Sequence, residues 1–379
     1  MPLTVGFDAT AAARQRAGIG RYTRQLLAAL AEVDDDTRYR LFYCAGGLME
    51  GELPLLNQRF AVRPLPLSDR VVNLVWQRAL LPLPVQAFIG NFDLFHSPDF
   101  TLPPVWRRPT VLTIHDLAFI VKPECAYPTL RTYLSEVVPR SAGRATRIIA
   151  VSKQTRCDLI ERLGISAERI TVVPEAAGTE FQPAEDSQVA GDVVRKLGID
   201  GPYILSVGTL EPRKNYVRLL EAYAILRGAG VPHRLVIAGA RGWLFDPIFN
   251  RLDQLGLRDH VTFLRPDEPG LLALYRSASV CVFPTLYEGF GIPPLEALAC
   301  GAPVACSSAA SLPEVVGDAA LLFDPESVEE MAHCVQHLLE DTQLVPMLRE
   351  RGLKQAARFS WRRTAMETLD VYGQVVAGA

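Results

Sequence analysis

The chain has 379 residues, a formal net charge of −3 and 49% hydrophobic residues. That length predicts two domains of ordinary size with ample cores. The near-balanced charge implies no surface built for nucleic acid or another polyanion. Seven cysteines, at 44, 125, 157, 281, 300, 306 and 334, form no metal-type spacing, which predicts reduced, mostly buried thiols in a cytosolic protein. Met1-Pro2-Leu3 runs straight into a strand, so no leader is expected. The longest uncharged run, 297–313, is broken by Gly, Pro and Ser and does not read as a membrane span.

Residues 3–7 read as an apolar strand ending at Asp8, followed by a loop over 9–17 and then Gly18-Ile19-Gly20. The next helix carries Tyr22, Leu26, Leu27 and Leu30 on one face. Strand, Gly-x-Gly and helix invite a dinucleotide site, but Thr23 stands where the third glycine belongs and the loop is too long, so that reading is set aside. Strands follow over 38–44 and 59–64. Between 68 and 88, Val72, Val75, Trp76 and Ala79 recur at helical spacing until Pro82 and Pro84. Short strands over 93–99 and 110–114 bring His96 and His115 to one edge of a sheet. A lone histidine is more often structural than catalytic. His115 is favoured by its place at a strand's carboxyl end before Asp116 and Leu117, while His96 is evenly balanced. A helix is predicted over 127–138. Arg140, Arg144 and Arg147 then read as a solvated loop rather than a patch for anionic membrane. Ser152 is a good N-cap for a helix over 153–163, and a strand over 169–174 closes this half. The alternation predicts a parallel, doubly wound sheet.

Residues 175–192 are polar and read as the linker, with a second break at Gly201-Pro202. A strand over 203–207 runs into Gly208 to Asn215, then a helix bearing Leu219, Leu220 and Tyr223. Arg213 and Lys214, two adjacent cations at a helix start, oppose its dipole and cost stability unless an anion sits there. They are candidates for phosphate, Arg213 as a fork and Lys214 as a point charge. A strand over 233–238 leads to Arg241, a further candidate. A strand over 261–264 runs into Arg265-Pro266-Asp267, and a short helix spans 270–277.

The stretch 280–307, VCVFPTLYEGFGIPPLEALACGAPVACS, organises the rest. An apolar strand reaches Phe283. A turn follows, then Gly289-Phe290-Gly291, whose N–H groups can approach a ligand closely. Pro293 and Pro294 suit a first helical turn, Gly301 ends the helix, and a strand starts at Pro303. A helix N-terminus at the carboxyl edge of a sheet is an anion site. Glu288 and Glu296 frame it. A carboxylate repels phosphate but accepts from hydroxyls, so donors and carboxylates together suit a phosphate with polyols on either side, as in a nucleotide sugar. The plain alternative is a common glycine turn with good capping electrostatics. Beyond it come residues 312–317, a strand over 320–323, and a helix from about 326. On that helix His333 and His337, four apart without a third ligand, read as ordinary surface. A final helix spans 359–376.

Glu288 and Glu296, with Gly-Phe-Gly after the first, resemble the signature of the retaining glycosyltransferases of family four. Gly18-Ile19-Gly20 and Arg213-Lys214 extend the resemblance over most of the chain. It implies an α/β fold of the GT-B type: two doubly wound Rossmann-like domains facing a central cleft. The acceptor-side domain would span 1–180 and the nucleotide-sugar domain 181–358. A terminal helix over 359–379 would cross back to the first, with Trp361 helping to anchor it. The resemblance implies that Gly18 and Gly20, with Arg21 beside them, approach the donor diphosphate and the acceptor. Arg213, Lys214 and the N–H groups of Gly289, Phe290 and Gly291 would hold the diphosphate. Leu264 and the turn after it would meet the nucleobase, and Glu296 the ribose hydroxyls. His115 and Glu288 would be the catalytic pair at the transferred sugar.

The same resemblance implies retention, with the leaving phosphate helping to deprotonate the acceptor. No metal-binding aspartate pair stands out, so no metal or other cofactor is expected. Arg16-Ala17-Gly18-Ile19-Gly20-Arg21-Tyr22 and Glu211-Pro212-Arg213-Lys214-Asn215 are similar to bacterial mannosyltransferases of surface polysaccharide assembly. That implies GDP-mannose as the leading donor, then a UDP-sugar. The acceptor would be a hydroxyl of a glycan or lipid-linked glycan, and the location cytoplasmic, with peripheral contact at the inner membrane face. Three rivals stay open. A nucleotide-sugar 2-epimerase would act on the donor alone. A hydrolase would use Glu288 and Glu296 as acid and base. A non-catalytic nucleotide-sugar-binding protein would show no turnover.

Overall fold

Parallel strands covered on both faces need unbroken apolar runs, and this chain supplies them. Thr110–Ile114, Val280–Phe283 and Val304–Ser307 are buried along their whole length. The structure, a computed structural model, describes residues 2–16, 18–46 and 52–378. Met1 and Ala17, which figure in the readings above, lie outside the described residues. The chain divides into two units. One comprises Met1–Leu117, Thr129–Glu175 and Ser360–Ala379; the other comprises Ala118–Pro128 and Ala176–Phe359.

The first unit is built on a seven-stranded sheet. Its strands are β1 (Thr4–Asp8), β2 (Arg38–Gly46), β3 (Phe60–Ser68), β4 (Leu94–Ser97), β5 (Thr110–Ile114), β6 (Arg147–Ala150) and β7 (Ile170–Val172). They lie in the order β3-β2-β1-β4-β5-β6-β7, and every pairing is parallel. The strand order reverses between β1 and β4, the switch point at which doubly wound sheets bind ligands. The edge strand β3 is largely exposed and carries Pro64 and Pro66, which an edge tolerates. Tyr22, Leu26, Leu27 and Leu30 of the helix Ile19–Val33 are buried, as their spacing predicts.

The second unit is built on a six-stranded sheet. Its strands are β8 (Tyr203–Val207), β9 (Arg234–Ala238), β10 (Val261–Leu264), β11 (Val280–Phe283), β12 (Val304–Ser307) and β13 (Leu321–Phe323). The order is β10-β9-β8-β11-β12-β13, again all parallel. Here the switch point lies between β8 and β11. Leu220, Tyr223, Leu235, Ile237, Val280 and Val282 are among the residues of its core.

Several local expectations are corrected. The predicted loop over 9–17 contains a helix, Thr10–Arg14, because Ala11, Ala12 and Ala13 are small enough to bury together. The helix expected between 68 and 88 breaks into Asp69–Asn73 and one wide turn, Leu74–Arg78. The Trp76 indole then donates to the Leu83 carbonyl at 3.0 Å, which turns the chain back before Pro84. The predicted linker holds a helix, Ser187–Lys196, whose first turn is capped by the Asp186 carboxylate. Helices Asp246–Gln254 and Leu344–Ala356 were not foreseen.

The arginine cluster is solvated, with Arg140 and Arg144 exposed, but it is not a loop. The helix Pro128–Arg144 continues through Arg140 and Arg144. Arg140 donates to the Gln77 carbonyl at 3.0 Å, Arg144 to that of Leu102, and Arg147 to that of Glu168. These cations satisfy backbone acceptors rather than wait for a bilayer. No helix among the described residues is long and apolar enough to cross a membrane. All seven cysteines are free, and five are buried.

Two segments lie with a unit remote from them in the chain. In the second unit the Trp243 indole donates to the Cys125 carbonyl at 2.8 Å, pinning Ala118–Pro128. In the first, the helix Trp361–Ala377 buries Trp361, Val371 and Tyr372. The Thr364 hydroxyl there donates to the Pro174 carbonyl at 2.7 Å.

Candidate active site

In the second unit the switch point brings together the loop after β8 and the turn after β11. Glu211 is followed by a single tight turn, Pro212–Lys214, and by Asn215 in the left-handed region at φ 58°, a conformation asparagine tolerates. Its side-chain amide donates to the carbonyls of Pro284 at 2.9 Å and Pro325 at 2.8 Å. The Leu286 N–H donates to the Arg213 carbonyl at 2.8 Å. The two segments are therefore stitched through the backbone before any charge is considered.

The charges then meet. Arg213 donates to Glu288 at 2.7 Å, to Glu211 at 3.0 Å and to the Tyr287 carbonyl at 3.0 Å. Lys214 pairs with the other Glu288 oxygen. Glu211, Lys214 and Glu288 are all buried. Burial raises the Glu288 pKa, but the Arg213 and Lys214 charges and hydrogen bonds outweigh it and lower it to about 2. Sequence reading placed Glu288 against sugar hydroxyls and the cations against phosphate. The structure joins the three in one ionic cluster, with Glu288 orienting both cations. Glu211, which completes the grip on Arg213, was missed.

The turn continues into the helix Ile292–Ala299, capped by Gly291 at φ 114° with no side-chain cap bond. The Ser311 hydroxyl lies 2.9 Å from the Glu288 carbonyl and 2.6 Å from that of Phe290, which holds the Gly289–Gly291 backbone in shape. Phe290 packs edge-on against Phe359. Glu296 follows on this helix, buried, and accepts from the Tyr275 hydroxyl at 3.0 Å. The buried Thr285 hydroxyl beside Pro284 has no hydrogen-bond partner; a polar residue in a turn gave no sequence signal for that.

Other candidates in this unit have partners of their own, although the Arg241 backbone is bridged to Leu210, next to Glu211. Leu264 ends β10, at the sheet edge two strands from β8, and its carbonyl accepts from Gly239 at 2.8 Å. Asp267 just beyond caps the helix Glu268–Ser277. Arg241 lies over the faces of Phe245 and Phe249, 5.6 and 5.2 Å from the ring centroids. His333 and His337 stack with centroids 6.1 Å apart, and no group of three or more metal-type ligands occurs among the described residues.

In the first unit, Gly18 caps the helix Ile19–Val33 at φ 58°. Gly20, the second residue of that helix, is buried. A Cβ there would lie 2.2 Å from the Gln15 carbonyl and 2.6 Å from that of Ala11, so its lack of a side chain is needed for packing inside this unit. His96 is fully buried, bonded to the Tyr372 hydroxyl at 2.6 Å and to Thr113 at 2.9 Å. Burial and the nearby His115 lower its pKa to about 3; His96 is a neutral core group that ties the final helix to β4.

His115 stands just beyond β5. Its Nδ1 is 2.9 Å from the Glu175 carboxylate and its Nε2 is 2.8 Å from the Pro98 carbonyl. Tyr22 meets the ring edge-on with centroids 4.6 Å apart. Asp8, at the end of β1, has its pKa raised to about 6 by burial, against the hydrogen bonds of Thr10. Neither Glu175 nor Asp8 was given a role from sequence. A cavity of about 540 Å³ lies at the opposite, amino edge of this sheet, walled by Pro82, Pro103, Trp106 and Arg108. Its lining includes Arg144 and Leu102 but none of the candidate site residues.

The structure superposes on sucrose-phosphate synthase from Thermosynechococcus elongatus with a TM-score of 0.78 and 22% identity, covering 100% of both chains. It superposes on Anabaena HepE in complex with UDP and glucose with a TM-score of 0.75 and 19% identity, covering 98% of this chain and 100% of that one. The fold is GT-B, two parallel α/β sheets of seven and six strands. Residues 16–181 match the Glycosyltransferase Family 4 model and residues 193–355 the Glycosyl transferases group 1 model. O-antigen chain mannosyltransferase B of Escherichia coli is 32% identical over 369 residues, 94% of this chain and 95% of that protein. The chain belongs to the family 4 retaining glycosyltransferases, and is a nucleotide-sugar-dependent hexosyltransferase.

Proposed function

We propose that this glycosyltransferase moves mannose from GDP-mannose to a hydroxyl of a glycan or lipid-linked glycan. The observation that carries the donor site is the cluster of Arg213, Lys214 and Glu288 at the second switch point, beside a helix N-terminus without a side-chain cap. The mannose assignment is supported by the named activity of the Escherichia coli relative. The difficult step is departure of the diphosphate, whose oxygens gain charge in the transition state. Arg213 and Lys214 would meet that charge, helped by the backbone N–H groups of Gly289, Phe290 and Gly291, with Glu288 keeping both cations in place. Glu296 would accept from the ribose hydroxyls, and Leu264 would lie near the base. In the first unit, Gly18, Gly20 and His115 would serve the acceptor and the sugar. Both His115 ring nitrogens are already bonded, so its contribution there would be charge rather than a free donor. No step is assigned to a metal. Work on a lipid-linked acceptor would place the protein at the inner membrane face.

Screening thermal stabilisation by GDP, UDP, ADP and their sugars tests the donor, because ligand binding raises apparent stability by mass action. GDP and GDP-mannose are expected to raise Tm most. A larger shift with UDP or ADP overturns the base. Mannose transfer is then assayed over a panel of glycan acceptors, and product formed without acceptor would mark an epimerase. Glu296→Ala is expected to lower kcat/KM for the donor by roughly 10- to 100-fold, the loss of one hydrogen bond to a charged group. Wild-type kcat/KM in a folded variant would remove the ribose assignment.

A further inference from the structure

His115 is enclosed by acceptors. The Pro98 carbonyl, 2.8 Å from Nε2, can only accept, so Nε2 carries a proton. Nδ1 faces the Glu175 carboxyl at 2.9 Å, and one further proton must lie between them. An imidazole holds a proton more firmly than a carboxylate, by roughly two units in ordinary pKa. That proton therefore belongs on the ring. The remaining neighbours agree. The charge of Asp99, after β4, also favours the protonated ring. Tyr22 from the helix Ile19–Val33 and Phe100 lie T-shaped to the ring. His96 on β4 is neutral. Thr155, at the start of the helix Lys153–Leu163, donates its hydroxyl to the His115 backbone carbonyl at 3.1 Å and fixes the residue's height above the sheet.

We infer that Glu175, together with the Pro98 carbonyl, is a positioning device that holds His115 as an imidazolium of fixed orientation at the carboxyl edge of the first sheet. The catalytic consequence rests on the reading of His115 given above: a fixed positive charge near a reaction whose leaving group becomes more negative. The carboxylate sits 60 residues downstream of the histidine in sequence, in the polar stretch that follows β7. Burial alone would lower the His115 pKa. The Glu175 hydrogen bond and charge, the Pro98 carbonyl and the Asp99 charge reverse that and raise it. The charge therefore persists to higher pH than on a free imidazole and is lost as pH rises through this raised value. Removing the Glu175 charge moves the loss to lower pH.

The test uses the full chain labelled with 15N-histidine, the His115 signals being assigned by their absence in His115→Gln. At pH 7.5 both His115 nitrogens are expected to be protonated in the wild type, and only one in Glu175→Gln. A neutral wild-type ring overturns the inference. In steady-state assays Glu175→Gln is expected to lose about 10-fold in kcat at pH 8 with little change in donor KM. It should regain rate as pH falls towards 6, and Glu175→Asp should keep part of the wild-type rate. A Glu175→Gln pH profile that overlays the wild type overturns the positioning role even if the ring is charged. Full activity in His115→Gln would sink the reading of His115 itself, while the spectra judge its protonation separately.

Discussion

Replacing both Arg213 and Lys214 by alanine is expected to weaken binding of GDP by about 10²- to 10⁴-fold. Each lost charged hydrogen bond is worth roughly 1.5–3 kcal/mol. The same change strips Glu288, a buried carboxylate, of its two cations. Leaving one partner of a buried ion pair alone costs about 3–5 kcal/mol, so Tm should fall by roughly 6–20 °C. The sign with pH follows from the two states of that carboxyl. In the wild type its folded pKa, about 2, lies below its unfolded value. The stability it contributes is present above the unfolded value and lost as pH falls through about 2. In the double variant burial would act unopposed and raise the pKa, so the penalty is largest at neutral pH, shrinks as pH falls through the raised value and is gone below the unfolded value, roughly pH 4–5. Adding Glu288→Ala should restore much of the Tm but none of the affinity. Calorimetry that finds wild-type GDP affinity in the double variant removes the phosphate role.

Gly239→Ala is the second change with a large expected effect. A Cβ at that position would lie 1.9 Å from the Gly208 carbonyl oxygen and 2.6 Å from its carbon. Both sides of this contact are backbone. The Gly239 N–H is bonded to Leu264 and the Gly208 N–H to Ala238, so neither can swing away cheaply. Overpacking of this kind costs about 3 kcal/mol or more, which lowers Tm by roughly 6–12 °C. Gly208 also opens the loop that carries Arg213 and Lys214, so GDP binding should weaken with it. Gly143→Ala is the matched control: its Cβ meets nothing within 4 Å on an exposed helical face. It should raise stability by about 0.4–1 kcal/mol. A Gly239→Ala melt that overlays the wild type would refute the close approach.

Much of the architecture was legible because the strands of a parallel sheet advertise themselves. β5, β8, β10 and β11 occupy the predicted residues, each an apolar run cut off by a turn. The helix Lys153–Leu163 was equally plain, since Ser152 accepts from the Thr155 N–H as a cap should. The helix Ser187–Lys196 was hidden because its short apolar face, Ala190 and Val194, sits in a polar stretch. At the candidate site, Arg213, Lys214, Glu288 and Glu296 stood out through local rules: cations at a helix start, glycines in a turn, carboxylates on either side. Glu175, Glu211 and Asp8 did not. What makes them interesting is a partner or a burial set by tertiary packing, and no spacing along the chain encodes that.

The last twenty or so residues belong to the unit that the chain began, and Tyr372 supplies the hydroxyl against which His96 is packed. On a ribosome the first unit therefore waits. About 180 intervening residues must be polymerised before its closing helix exists, roughly 10–40 s at ordinary elongation rates. The second unit, apart from Ala118–Pro128, is continuous and can mature during that interval. A transcript truncated near residue 358 would release a chain whose later half is sound and whose earlier half keeps an open seam along β4. A chaperone or protease would meet the defect at the beginning of the protein, although the lesion lay at its end.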